Sequence, residues 1–252
     1  MNNGKIIENI VRGMIYYSVF LASPPHMEHF YDGMCAWMKP RAGENGAAVV
    51  YKACFGDKCD DEIRVLIDSY RGIGIPDEWF LTPLSTPRNV RELLGGMGIA
   101  VSGDAYGMAL AADKMDASLW DDNESGISVR KVSGKDDFIT WANMVNDTLF
   151  ECIILDPEYY CPMFEAGKIT CYLGYYGGEP AAVSSFLNDN GNATLEFIAT
   201  KAEHRRKGLG AAVCGAAVRQ MLIDGADCIS LRATPEGMKL YETLGFVRVF
   251  DF

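Results

Sequence analysis

Apolar residues recur at helical spacing from Ile6 to Ala22 and stop at Pro24 and Pro25, which predicts an opening helix ended by residues that cannot continue it. Further along, the pattern predicts a strand over 47–51, a helix over 60–70, a short strand over 79–81 and a helix over 90–97 stopped by Gly98. A closing pair of strands is expected at 99–101 and 107–111. Helices alternating with strands predict an α/β unit.

The second half is patterned more clearly. A strand is expected over 128–132, an amphipathic helix over 135–150 and a short helix over 157–166. Two alternating runs, 169–176 and 179–188, flank Gly177 and Gly178, the dipeptide of a tight hairpin. Then follow a strand (193–200), an Ala- and Val-rich helix (208–224), a strand (228–233), a helix (236–244) and a last strand (246–250). Between the halves, KMDASLWDDNESG is acidic and lacks apolar periodicity, as a linker does. The expected division is therefore a domain over 1–115, a linker over 116–126 and a second domain over 127–252.

Composition narrows the function. The 252 residues carry 23 Lys plus Arg against 34 Asp plus Glu, a net charge of −11. That balance opposes the phosphate neutralisation that nucleic-acid binding requires. The longest uncharged apolar stretch, Gly13 to Pro25, spans 13 residues, short of the roughly 20 of a membrane-spanning helix. No secretory pattern opens the chain, so a cytoplasmic protein is expected. The eight cysteines form no CxxC pair and no zinc spacing, which predicts reduced, mostly buried thiols and no metal.

Within this acidic chain, Arg205, Arg206 and Lys207 fall together between a strand and a helix, followed by Gly208, Leu209, Gly210 and Ala211. Glycines bring the backbone close to a ligand, and a helix start presents free N–H groups with the positive end of its dipole. The pattern predicts a pyrophosphate cradle. Arg205-x-x-Gly208-x-Gly210 after a strand, then CISLRA and LYETLGF, resembles the GNAT superfamily of N-acetyltransferases in order and spacing over 126–252. The resemblance implies a mixed, largely antiparallel sheet flanked by helices, and acetyl-CoA as co-substrate. It implies cofactor contacts from Ile198, Thr200, Arg205, Arg206, Lys207, Gly208, Leu209, Gly210 and Ala211. Tyr241 then stands where the family places the acid that protonates the leaving thiolate. Thr234 replaces a frequent Asn, which weakens the expected side-chain contact to the pantetheine arm.

An alkyl amine of pKa about 10.4 costs roughly 4 to 5 kcal/mol to deprotonate at pH 7, so direct transfer calls for a base or an apolar pocket. Glu196, on the strand before the loop, is the candidate, although strict alternation sets it on the same face as Ile198. Trp141, Tyr159 and Tyr160 lie on the helices that usually recognise the acceptor, and with the acidic surplus they favour a small cationic amine. The expected activity is N-acetyl transfer in a ternary complex by a monomer or homodimer. The alternative is a CoA-binding sensor without turnover.

The first half holds a weaker echo. RELLGGMGI (91–99) aligns with KLYETLGF (239–246) when Gly98 is set on Gly245, which puts Leu94 in the place of Tyr241. No RxxGxG precedes it. Trp79, Pro83, Ser85, Pro87 and Leu94 resemble the inactive N-terminal copy of tandem GNAT proteins, implying two copies of one fold with only the second catalytic.

Overall fold

The computed structural model describes residues 3–111 and 126–252. The first half begins with helix α1 (Asn3–Ala22), followed by strands β1 (Met27–Tyr31), β2 (Cys35–Pro40) and β3 (Val49–Ala53). Helix α2 (Asp60–Gly72), β4 (Trp79–Phe80), α3 (Val90–Gly96) and β5 (Val101–Ser102) complete a five-stranded sheet of order β1-β2-β3-β4-β5. The β1–β2 hairpin has no counterpart in the apolar pattern. Its turn is fixed by Asp32, whose carboxylate accepts the N–H groups of Met34 and Cys35 and the Tyr70 hydroxyl.

The second sheet has seven strands in the order β12-β6-β11-β10-β9-β8-β7. They are β6 (Tyr106–Ala111), β7 (Ile127–Lys131), β8 (Thr170–Tyr176), β9 (Glu179–Asp189), β10 (Asn192–Thr200), β11 (Cys228–Ala233) and β12 (Val247–Asp251). Helices α4 (Lys135–Val145) and α5 (Pro157–Glu165) cover one face; α6 (Leu209–Ile223) and α7 (Pro235–Thr243) cover the other. The helix expected to reach residue 150 leaves α geometry at Val145 and closes with a π turn over Asn146–Phe150. The cause is buried Asn146, whose side chain binds the main chain of Ile154 and Leu155 and draws the following loop inward.

The two sheets share an order of elements. The series β1-β2-β3-α2-β4-α3-β5 repeats as β8-β9-β10-α6-β11-α7-β12, in each case with two antiparallel pairings and then a parallel one. Two copies of one fold are present, and they differ at one joint. In the first sheet β4 and β5 pair directly and in parallel, whereas in the second β6 lies between β11 and β12, antiparallel to both.

Strand 107–111 thus pairs not with its expected partner at 99–101 but with the sheet of the second half. It is needed there because β11 and β12, joined through α7, stand one strand apart. The place is shaped for it: a Cβ on Gly107 would lie 2.6 Å from the ring of Phe250, which packs across that glycine.

Helix α1 also crosses the expected boundary. It packs against β9, β10 and β11 as well as β1, β2 and β3. Gly13 permits the close approach, since a Cβ there would meet Ser230 Oγ at 2.9 Å and Thr194 Cβ at 3.1 Å. Arg12 pairs with Asp189 at 2.6 Å, and the Tyr160 hydroxyl donates to Leu21 O at 2.8 Å. Tyr17, Phe20 and Leu21 therefore join one continuous core with Met38 and Val49 of the first sheet, Trp141 of α4 and Phe197 of the second sheet. The division at 115 separates the chain in sequence, while hydrogen bonding and packing cross it. The expected linker, apart from Gly126, lies outside the described residues. No described helix is long and apolar enough to cross a membrane.

Candidate active site

Strands β10 and β11 pair in parallel only from Asn192 to Thr194, against Cys228 to Ser230. Beyond Thr194 they separate, and the edge of β10 that faces β11 has no strand partner among the described residues. A bulge accompanies the split. The register with β9 shifts between Glu196 and Ala199, and Phe197 takes a left-handed backbone with φ 51°. For a bulky residue this is a strained conformation that surrounding contacts must hold. They are aromatic: Phe197 lies 5.3 Å from Tyr17, 5.5 Å from Trp141 and 6.4 Å from Phe150, centroid to centroid.

The bulge breaks the alternation expected of β10. Leu195 and Ile198 pack with the α6 and α7 core, whereas Phe197 and Ala199 belong to the α1 and α4 core. Glu196 lies on the α1 side with Thr194, whose hydroxyl donates to its carboxylate at 2.8 Å. Glu196 and Ile198 are thus on opposite faces, because the extra residue resets the period. Burial pushes the Glu196 carboxyl up to about 7, against the opposing pull of Arg232 and the Thr194 hydroxyl.

Tyr241 comes from α7 and is buried against Phe246 and the α6 core. Burial, then the neighbouring Cys214 and Glu196, hold its phenol well above its ordinary pKa, so it is neutral at physiological pH. Glu196 stands at the split on the α1 face and Tyr241 on the α7 face.

The basic loop follows the open end of β10. After a 3₁₀ turn over Ala202–His204, both Arg206 (φ 63°) and Gly208 (φ 83°) have left-handed backbones. Alternating backbone hands turn successive N–H groups toward one concavity, an anion nest. Gly208 is the N-cap of α6 without any side-chain cap, and the first intrahelical bond closing this turn is Ala212 N to Gly208 O. The N–H groups of Leu209, Gly210 and Ala211 are left for a ligand. Gly210 is also a packing position, as a Cβ there would sit 3.1 Å from Leu240 Cδ2. Helix α6 is fixed to the sheet by the Ser184 hydroxyl, which donates to Val213 O at 2.7 Å, and by Gly174, where a Cβ would come 2.6 Å from Val213 Cγ1.

The three basic side chains have different surroundings. Arg205 folds back onto Thr200 O at 3.3 Å, Lys207 lies over the Tyr176 ring at 4.5 Å, and Arg206 is exposed. Thr200 is half-buried beside Gly210, and Thr234 is the N-cap of α7, accepting from Gly237 N at 3.2 Å. Accepting that bond leaves the Thr234 hydroxyl proton free to donate.

Two of the expected acceptor residues are placed elsewhere. Trp141 is fully buried with its indole N–H on Ser184 O at 3.1 Å, and Tyr160 is buried with its hydroxyl spent on Leu21. Both are core residues, since helical spacing sends them toward the sheet. Tyr159 stacks on His26 with centroids 4.0 Å apart. The residues that do face Glu196 come from elsewhere: Tyr17 of α1 and Arg232 of β11, whose guanidinium lies 4.5 Å over the ring of Phe80 from the first sheet. Tyr17 and Phe80 carry no sequence signal. Arg232 does, as a lone charge in the buried run CISLRA.

The matching position of the first copy is built the other way. Helix α2 starts with Asp60, Asp61 and Glu62, and the Glu62 carboxylate accepts the Cys59 N–H at 2.8 Å. An acidic, self-capped helix start repels a pyrophosphate.

A sheet split between two parallel strands, a bulge on the first and an uncapped glycine-rich helix start beside it define the acyltransferase fold of the GNAT class. Residues 138–246 match the family model described as acetyltransferase (GNAT) family, a GNAT domain in the second half of the chain. Among solved structures, a GCN5-related N-acetyltransferase from Kribbella flavida superposes with a TM-score of 0.69 at 15% identity, over 96% of this chain and 92% of that one. A tandem GNAT protein from the clavulanic acid biosynthesis pathway gives 0.60 at 14%, over 99% and 93%. A GCN5-related N-acetyltransferase from Sphaerobacter thermophilus gives 0.60 at 15%, over 85% and 77%. At these identities the likeness is one of fold, and it extends over both copies. No curated protein matches the sequence.

Proposed function

We propose that the protein is an acetyl-CoA dependent N-acetyltransferase that acylates a primary amine, cationic in solution, by direct transfer in a ternary complex. What carries this reading is the parting of β10 and β11 after Thr194 beside an uncapped, glycine-rich helix start, with Glu196 on the first of these strands and buried Tyr241 on the helix that follows the second. Acetyl-CoA supplies the activated acetyl group as a thioester. The N–H groups of Leu209, Gly210 and Ala211 and the side chain of Arg206 suit its pyrophosphate, and the open edge of β10 at Ile198 and Thr200 suits the amide groups of its arm.

Glu196 serves as base. A carboxylate with a pKa of about 7 is half ionised at neutral pH, so it can accept the proton that the amine loses as it attacks, directly or through water. Tyr241, held neutral, donates to the sulfur as the thiolate leaves. Free N–H groups along the β10 edge are suited to the charge that develops on the carbonyl oxygen. The test is calorimetric titration with acetyl-CoA, followed by thiol release across a panel of primary amines. Binding with amine-dependent release supports the reading. Binding without release from any amine leaves the CoA-binding sensor, and absence of binding removes both.

A further inference from the structure

Arg232 is the one charge in a strand whose other residues are buried, and none of the roles above uses it. Along β11, Ile229, Leu231 and Ala233 pack under α6 and α7, so Arg232 alternates onto the α1 face with Ser230. It is therefore on the face away from the phosphate cradle and on the same face as Thr194, Glu196 and Tyr17.

Its guanidinium is half-buried, with its face covered by the Phe80 ring. Among the described residues it forms no hydrogen bond and no ion pair. It is close enough to Glu196 to act on that carboxylate, yet the two do not join. Five N–H donors held on a stacked plane, with their edge unspent, match the two oxygens of a carboxylate. Paired strands run about 4.8 Å apart, and here the strands have already separated. Glu196 and Arg232, each two residues past the last paired positions Thr194 and Ser230, therefore stand across the split on one face, opposite in charge and unjoined.

From this geometry we infer that the acceptor is an amino acid-like zwitterion, its amine directed to Glu196 and its carboxylate bound edge-on by Arg232. The inference rests on the transferase reading and narrows the acceptor from amines in general to amines that also carry a carboxylate. It also gives the first copy a task, since Phe80 of β4 orients the guanidinium from the neighbouring sheet.

The experiment uses the full chain and matched pairs that differ only in the carboxylate: phenylalanine with phenethylamine, leucine with isopentylamine, and 5-aminovalerate with butylamine. Acetylated product is measured by mass spectrometry for the parent, Arg232→Gln and Arg232→Lys, with melting curves to establish folding. The expected result is a preference for at least one carboxylate-bearing partner of about 10- to 100-fold in kcat/KM, the span of one charge-assisted pair. Arg232→Gln abolishes that preference through KM, and Arg232→Lys restores part of it. Equal use of both members of every pair, or an undiminished preference in Arg232→Gln, overturns the inference. If the parent acetylates nothing, the transferase reading fails by itself, and calorimetry on CoA-loaded protein then decides the role of Arg232. Amino acid binding lost in Arg232→Gln upholds a carboxylate site, and no binding to the parent overturns it.

Discussion

The Thr194 hydroxyl donates a 2.8 Å hydrogen bond to the Glu196 carboxylate, two residues along β10 and immediately before the bulge. The bond favours the charged form of a group that burial pushes toward the neutral one. Thr194→Val removes the donor and keeps the shape. The Glu196 pKa then rises further, and the acidic limb of the pH–rate profile moves up by about one unit, the worth of a hydrogen bond to a charged group. Initial rates against pH for the two proteins check this, and coincident profiles exclude Thr194 as the positioning residue.

Stability provides a second reading of the same carboxyl. Glu196 keeps its proton to about pH 7 in the fold, against an ordinary value of 4.5 for the unfolded chain. Between those values the native state binds more protons, so this group's contribution to stability falls as pH rises through the window and is constant above it. Glu196→Gln lifts that penalty. The variant should melt close to the parent near pH 4.5 and above it near pH 8, by about 3 kcal/mol or several degrees. A melting difference independent of pH would place the carboxyl in solvent.

Gly208 has φ 83° at the N-cap of α6, a backbone that L side chains rarely adopt. Gly208→Glu adds both strain and a negative charge where the pyrophosphate is proposed to lie. CoA affinity should fall at least about 100-fold while the melting temperature changes by only a few degrees. Titration calorimetry beside a melting curve distinguishes loss of the cradle from loss of the fold.

Gly174 lets α6 rest on β8. A Cβ at that position meets the stiff, fully buried Val213 at 2.6 Å and Ala182 at 3.3 Å, and neither can withdraw. Gly174→Ala should cost about 1–3 kcal/mol by overpacking. Because it lifts the helix that carries the cradle, and its Cβ also meets Leu209 Cδ2 at 3.5 Å, CoA affinity should weaken in the same variant. Chemical denaturation and CoA titration measure the two effects.

Much of the second copy is legible in the chain itself, because alternation, the Gly177–Gly178 hairpin and the basic glycine loop are each encoded locally. The site was legible in part. Glu196 and Tyr241 could be selected by position, but the face Glu196 occupies depends on a bulge at Phe197, which tertiary aromatic packing imposes and alternation cannot reveal. Trp141 and Tyr160 were legible as aromatic residues on helices and not as core, since the side a helix buries is decided by the sheet beneath it.

In the first copy, Glu28 and His29 break the apolar pattern of β1, leaving only the Asp32–Gly33 turn as a sign of the hairpin. The placing of Tyr106–Ala111 in the other sheet is a matter of long-range pairing. YGMALA reads as a strand and carries nothing that names its partner.

The central claim, that this split sheet acetylates an amine with Glu196 as base, is tested most directly by kcat for acetylated product from about pH 5.5 to about pH 9. Parent and Glu196→Gln are compared under saturating acetyl-CoA. The parent should show an acidic limb with its midpoint near 7, the value to which burial pushes the carboxyl. The variant should lose that limb along with at least about 100-fold in rate. A limb unchanged in Glu196→Gln, or full activity without the carboxylate, would contradict the account.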